Sequence, residues 1–584
     1  MIQVTEDDLP LQRLYRWEQE RGSQVFLTQP YDGGRLRHWT WKQTAEEARR
    51  MAAYLKNKNW EPGTRVAILS KNCAWWIMAD LAISMAGHVT VPIYPSLRAK
   101  SIRQILEHSE AKGCFLGAVE DPELGIPRDV TIVSFPTAAA DQYVDWDAII
   151  QSTPPVAGSP VRSADDLATI VYTSGTTGTP KGVMHNFRAL AFVAKSCAGV
   201  VRIDKPQRCL SYLPLAHVVE RAGMEMLSLR LGSHLFFCEG LDSFLTDLHR
   251  ARPTLFATVP RLLLKFQQGV YSKVPKEKLD SLLRKPIVRL IAKRRILRQL
   301  GLSTVRLAAC GAAPLPPELL LWYRKLGLNL AEGYGMTETW VTHLPGPGQV
   351  RAGYVGPPIP GVEQKQAENG ELLLKSPMNM VGYYKDPVAT RAAFTDDGFF
   401  RTGDLVRIDP DGQVKIIGRV KEQFKTSKGK YVAPAPIEGQ LVAHPAVEAC
   451  CLMGSGLPSP CAIVVLTPEA RKRCGDPAWR ESIEQSIWAQ VEAVNQTLES
   501  WERVAFVVIA DGPWTIENGV MTPTLKIKRN LIEAQYEEFV DEWRRQERNV
   551  VWETPPSDAP GSDQPLSPVA DVHGAGDVRG GVGR

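Results

Sequence analysis

The chain has ten cysteines but no C-x-x-C pair among them, which leaves neither a zinc site nor a disulfide framework to expect. Scattered as they are, they are expected to be small core residues. No run of about 18 uncharged apolar residues occurs, so no bilayer-spanning helix is expected. Charge of either sign is scarcely in excess: 69 Lys and Arg against 64 Asp and Glu leave +5 over 584 residues. That is too little for a dedicated nucleic-acid binder with a strongly basic face. The opening MIQVTEDDLP lacks the basic start and apolar stretch of a secretion signal, and the expected location is the cytoplasm.

The rest of the composition, 44% apolar and 23% charged, is that of a globular protein, and the length implies about two to four domains. Apolar strand-like runs alternate with amphipathic runs between residues 54 and 256, including strands at 65–69, 90–93, 167–172 and 233–237. This is the rhythm of α/β layers. Further strands at 305–309 and 328–331 each run into a small-residue loop, Gly311-Ala-Ala-Pro314 and residues 332–339, and ligand loops sit at such strand ends. Beyond 353 the segments shorten into β-structure with Asp-Gly turns, and a new unit begins near Arg419. From 447 an α+β unit is expected, with strands at 449–453, 462–466 and 504–509 and a helix over 481–498. From Glu553 little is left to bury, and residues 546–584 are assigned to a disordered tail.

Two segments carry more specific signals. YTSGTTGTPKGVMH, residues 172–185, follows a strand directly, which a flexible linker rarely does. Its hydroxyls (Thr173, Ser174, Thr176, Thr177, Thr179), its glycines (Gly175, Gly178) and Lys181 suit a phosphate. It is not a P-loop, since Gly182 and not Ser or Thr follows the lysine. Residues 273–298 mix ten basic residues with aliphatic ones at helical spacing, interrupted by Pro286. Such a pattern fits peripheral contact with the inner face of an anionic membrane; a solvated helix packed by its apolar face is the commoner meaning.

Four more segments join that loop: AEGYGMTET (331–339), RTGDL (401–405), GRVKEQFKTSKGKYVAPAPIE (418–438) and MTPTLKIKR (521–529). In this order they resemble the adenylate-forming, AMP-binding superfamily over nearly the whole chain up to about residue 545. With LPLAHVVER (213–221) and PTLFATVPRLL (253–263), the set is similar to the long-chain fatty acid:CoA ligases. The resemblance implies an α/β fold: a large N-terminal ATP- and acyl-binding domain of layered subdomains, residues 1–419, and a small mobile α+β domain, residues 420–545. It implies activation of a fatty acid by ATP to acyl-AMP with release of pyrophosphate, and then transfer to CoA.

The same resemblance implies the roles. Glu338 and Thr173 would hold Mg2+, Thr337 would donate to the α-phosphate, and Lys181 with the loop hydroxyls would neutralise charge there. Asp404 would accept from both ribose hydroxyls, helped by Arg419; Tyr334, followed by Gly335, would stack on adenine, with Gly311 and Ala312 as the opposite wall. His217 falls beside the acyl carboxylate, where direct function and a structural role are equally weighted. Lys526 would bridge carboxylate and α-phosphate, while Lys528 and Arg529 are read as surface charges. Lys421 falls at the interdomain hinge, and Lys428, Gly429 and Lys430 lie along the CoA route. Other branches carry an arginine in that loop where this chain has Lys428, Lys430 and Tyr431, so which of the three meets phosphate stays open, as does the oligomeric state. Alternatives are a fatty acyl-AMP ligase serving a carrier protein, against which the intact KTSKGKYVAP segment stands, and a non-catalytic nucleotide-binding relative, against which Lys526 and Glu338 stand.

Overall fold

The computed structural model describes residues 2–119, 124–138, 140, 142–173, 180–515, 518–522 and 526–553. Among them no helix is long and apolar enough to cross a membrane, and all ten cysteines are free. The chain separates into two compact units, one ending at Glu422 and the other starting at Gln423.

The first unit is mixed α/β and holds two large sheets. One runs, edge to edge, Gly382–Tyr383, Lys181–Asn186, Leu167–Thr173, Val89–Ile93, Arg65–Leu69, Gly113–Leu116, Thr131–Ser134 and Val144–Asp145. Its first two strands are antiparallel additions to a parallel sheet. The other, of seven strands, runs from Leu330–Glu332 and Leu307–Cys310 to the antiparallel hairpin Val25–Tyr31 and Arg35–Thr40. Helix Ala74–Ala86 is apolar on every side apart from buried Asp80 and Ser84 and packs against strands of both sheets, which is why it lacks a polar face. A smaller antiparallel sheet contains Phe400–Ile408 paired with Val414–Arg419.

The second unit is a four-stranded sheet, Val447–Met453, Cys461–Leu466, Val507–Ala510 and Val550–Trp552. Alternation along its strands feeds two cores. Cys450, Leu452 and Val464 pack with helix Pro477–Asn495 on one face, and Cys451, Ile463 and Val508 pack with Ile532, Tyr536 and Trp543 on the other.

Two sequence expectations need correction. The tail boundary at 546 is too early, because Val550–Trp552 is a buried strand paired with Val507–Ala510; its three large apolar residues complete the sheet. Residues 332–339 are not a plain loop, since Tyr334–Met336 forms a hairpin with Trp340–His343. A Cβ on Gly335 would lie 1.9 Å from the carbonyl oxygen of Trp340, so only glycine fits this crossing. Residues 273–298 span the end of helix Pro260–Lys273, all of Lys276–Arg284 and most of Pro286–Gln299, with the break at Pro286 that the sequence implies and another at residues 274–275. The segment from 554, expected to be disordered, lies outside the described residues.

Candidate active site

Thr173 and Lys181 face each other where strands Leu167–Thr173 and Lys181–Asn186 meet, while Ser174, Gly175, Thr176, Thr177, Gly178 and Thr179 lie outside the described residues. Strand parity puts Lys181, Val183 and His185 on one face. That face meets residues 336–340: Val183 clusters with Met336, Met380 and Tyr383, and His185 bonds the next turn. On the other face Met184 packs with Ile170 and Tyr172 in a different core.

Glu338 sits on the turn of the 334–343 hairpin and is held from several sides. The Tyr383 hydroxyl donates to its Oε1 at 2.9 Å, and the Lys181 ammonium lies 5.0 Å over the Tyr383 ring, within cation–π range. The amide of Met380 donates to the Glu338 carbonyl at 2.7 Å. Burial pushes the Glu338 carboxyl above its usual range, opposed by backbone and Tyr383 hydrogen bonds. Beside it, His185 donates from Nε2 to the Thr337 carbonyl at 2.8 Å and accepts at Nδ1 from the Trp340 indole at 3.0 Å. This fixes one neutral tautomer, and burial pushes its pKa down to about 4. Trp340 has a left-handed φ of 57°, a strain the surrounding bonds must hold.

The second group lies on the small sheet. Asp404 accepts from the Tyr334 hydroxyl at 2.5 Å on one oxygen and from Arg419 Nε at 2.8 Å on the other. Its backbone is set by Gly403, at φ 71°, whose amide donates to Glu371 at 2.9 Å. Each carboxylate oxygen has a lone pair left. Gly311 stands beside Gly333, whose carbonyl oxygen would be 3.3 Å from any Cβ at 311, and Ala312 takes the left-handed φ of 69°. Glu332 ties this wall down: it accepts from the Leu315 amide at 2.9 Å, with its pKa pushed up to about 7 by burial.

Sequence reasoning missed Tyr383, His185, Trp340 and Glu332. For His185 a signal existed, because it lies within the first motif, four residues beyond Lys181 and so on the same face of the strand.

His217 caps a short helix, its Nδ1 accepting from the Val219 amide at 3.2 Å. The helix continues as a π-helical turn, Arg221–Met226, in which buried Arg221 pairs with Asp80 at 2.7 Å and Glu225 at 3.1 Å. Next to His217, Glu220 is fully buried. Its Oε1 accepts from Ser211 at 2.8 Å and from the Tyr212 amide at 3.0 Å, whereas Oε2 has no hydrogen-bond partner among the described residues. Burial raises its pKa from the ordinary 4.5 to about 8. The folded value is the higher one, so the folded protein holds this proton more tightly than the unfolded chain. The resulting stability is complete below the unfolded value and is lost as pH rises through about 8. Glu220→Gln is therefore expected to gain about 2 kcal/mol on the wild type between about pH 6 and 8, read as diverging Tm curves; parallel curves would show that Glu220 does not titrate there.

In the second unit, Thr426 and Lys430 close a tight turn, with the Thr426 amide donating to the Lys430 carbonyl at 2.9 Å. Gly429 has φ 76°, and Lys428 and Lys430 are exposed; Lys430 lies 5.1 Å from the Trp501 ring. Lys526 is exposed, on a backbone bracketed by Thr522, whose hydroxyl accepts from the Lys526 amide at 3.1 Å. Arg529 is not a surface charge. It is largely buried, donating to Glu438 at 2.6 Å and to the Leu452 carbonyl at 2.8 Å, because the Glu438 carboxylate is itself buried and requires a cation. Lys421 is the last residue but one of the first unit.

Comparison with known proteins adds the following. The AMP-binding enzyme family matches residues 14–384, and the AMP-binding enzyme C-terminal domain matches residues 421–548. The long-chain-fatty-acid–CoA ligase FadD15 of Mycobacterium bovis is 31% identical, over 85% of this chain and 90% of its own. The peroxisomal long chain acyl-CoA synthetase 6 of Arabidopsis thaliana is 30% identical, over 82% of this chain and 77% of its own. Among solved structures, the adenylation domain of a carboxylate reductase from Mycobacterium chelonae superposes with a TM-score of 0.78 at 23% identity, covering 92% of this chain and 91% of that one. That last likeness concerns the fold alone.

Proposed function

Because the chain belongs to the AMP-binding enzyme family, we propose that it activates a long-chain fatty acid with ATP and passes the acyl group to CoA. The observation that carries this reading is the joining of two groups, Lys181–Tyr383–Glu338 and Tyr334–Asp404–Arg419, by one hairpin that carries Tyr334 on its first strand and Glu338 on its turn. One offers charge to phosphate and the other a fixed acceptor to a sugar. The names of the two relatives support the long-chain acid and CoA.

In the first step a fatty carboxylate oxygen bonds to the α-phosphorus and the bond to pyrophosphate breaks. Two anions approach, so preorganised cations lower the barrier. Lys181 and Lys526 fill that role, and Thr337 donates to the α-phosphate. Among the described residues no group of three His, Cys, Asp or Glu could cage a metal. Mg2+ takes one or two carboxylates and completes its shell with phosphate oxygens and water. Glu338 and Thr173 would hold it, and when bound it supplies positive charge to the phosphates. Asp404 and Arg419 fix the ribose; Tyr334, Gly335, Gly311 and Ala312 enclose the adenine; His217 orients the acyl carboxylate. In the second step the CoA thiol attacks the acyl carbonyl and AMP leaves, with Lys428, Gly429 and Lys430 along the pantetheine route once the second unit has turned about Lys421.

A carboxylate panel from acetate to oleate tests this by CoA-dependent AMP release. Palmitate and oleate are expected to turn over and acetate and benzoate to fail, since each buried methylene is worth roughly fourfold in affinity. Equal rates with short or aromatic acids would refute the long-chain assignment and leave the family membership intact.

A further inference from the structure

No side chain of helix Pro286–Gln299 is buried. Its C-terminal half is anchored, with Ile296 and Leu297 against the cluster of Leu279, Leu283 and Leu326. The first two turns stand clear: Ile287 is 79% exposed, Leu290 54% and Ile291 65%. At 100° per residue, Ile287, Ile291, Arg294 and Arg298 form one stripe, opposite the face that carries Ile296. The stripe is apolar at its tip and cationic about two turns further down, a span of roughly 16 Å. No Asp or Glu occurs from 281 to 317, and the acid preceding the helix, Asp280, is already paired with Lys325 at 2.8 Å.

We infer that this helix docks on an anionic lipid bilayer, its aliphatic tip entering the headgroup boundary while Arg294, Arg295 and Arg298 meet lipid phosphates. The segregation along the helix favours this occupant. A second copy would set cation against cation, and a nucleic acid would leave the aliphatic tip in water. Interfacial helices bind by this pairing of apolar burial with attraction to anionic headgroups. The inference rests on the surface of the helix and not on the proposed chemistry.

The test is co-sedimentation of the full-length protein with phosphatidylcholine vesicles, with and without phosphatidylglycerol. Binding is expected only with phosphatidylglycerol and is expected to weaken as salt rises, the Debye length at physiological ionic strength being about 8 Å. Arg294→Ser/Arg295→Ser/Arg298→Ser is expected to lower the partition coefficient about a hundredfold, at about fivefold per cation, and Ile287→Ser/Ile291→Ser about tenfold or more. Both variants are expected to keep the wild-type Tm and adenylation rate in vesicle-free solution. Failure of the wild type to sediment with phosphatidylglycerol, equal binding to phosphatidylcholine, or undiminished binding by the arginine variant would each overturn the inference. A self-association lost in the isoleucine variant, with no lipid binding, would assign the helix to a contact between copies instead.

Discussion

Lys526→Ala is expected to slow pyrophosphate release by about a hundredfold or more, the scale of losing one preorganised electrostatic contact, while thiolation of supplied acyl-AMP continues. The side chain is exposed, and the segment holding it is fastened by backbone bonds at Thr522 and by the Arg529–Glu438 pair, so removing the ammonium leaves the fold standing. Gly429→Trp is the complement. Its turn is exposed, and the position has room for a side chain beyond Lys425, but the left-handed backbone tolerates one only with strain. Acyl-AMP is then expected to accumulate. Pyrophosphate release and acyl-CoA formation from synthetic acyl-AMP are the two assays. Equal damage to both steps by Lys526→Ala, with circular dichroism unchanged, would rule out alternation of the second unit between the half-reactions.

The other large effect is expected at Glu338. Gln there keeps an acceptor for the Tyr383 hydroxyl and leaves the turn pinned by Met380 and His185, so what is lost is the negative charge. Pyrophosphate release is expected to fall by about a hundredfold at fixed Mg2+ and to recover in part as Mg2+ is raised. ATP binding through Asp404 and Arg419 is expected to hold, measured as quenching of tryptophan fluorescence. A wild-type Mg2+ requirement in Glu338→Gln would remove Glu338 from the metal's surroundings.

Strand positions were legible where a buried run is bounded by turn residues, as in Arg65–Leu69, because period and punctuation are local. The partners of Glu338 were not. Tyr383 reaches it from 45 residues away and His185 reaches the adjacent carbonyl from 152; both do so because Gly382–Tyr383 adds to the edge of strand Lys181–Asn186, a pairing no local pattern encodes. Arg529 was misread for the same reason. In the run KIKR three cations look alike, and only Glu438, 91 residues earlier, distinguishes the buried one. The exposed tip of Pro286–Gln299 also escaped, since helical spacing shows that one face is apolar and not that a neighbour covers it.

The four-residue step from Lys181 to His185 counts in twos. Deleting any one of Gly182, Val183 or Met184 would turn His185 to the opposite face, away from Thr337 and Trp340, without changing the chemistry of either end. Removing two would restore the face but draw His185 back by about 6.6 Å, beyond the reach of its two hydrogen bonds. Point substitutions in this strand can therefore be graded by volume, whereas insertions and deletions are all-or-none, and chain length between the two motif ends is as strict a determinant of the site as the identity of Lys181.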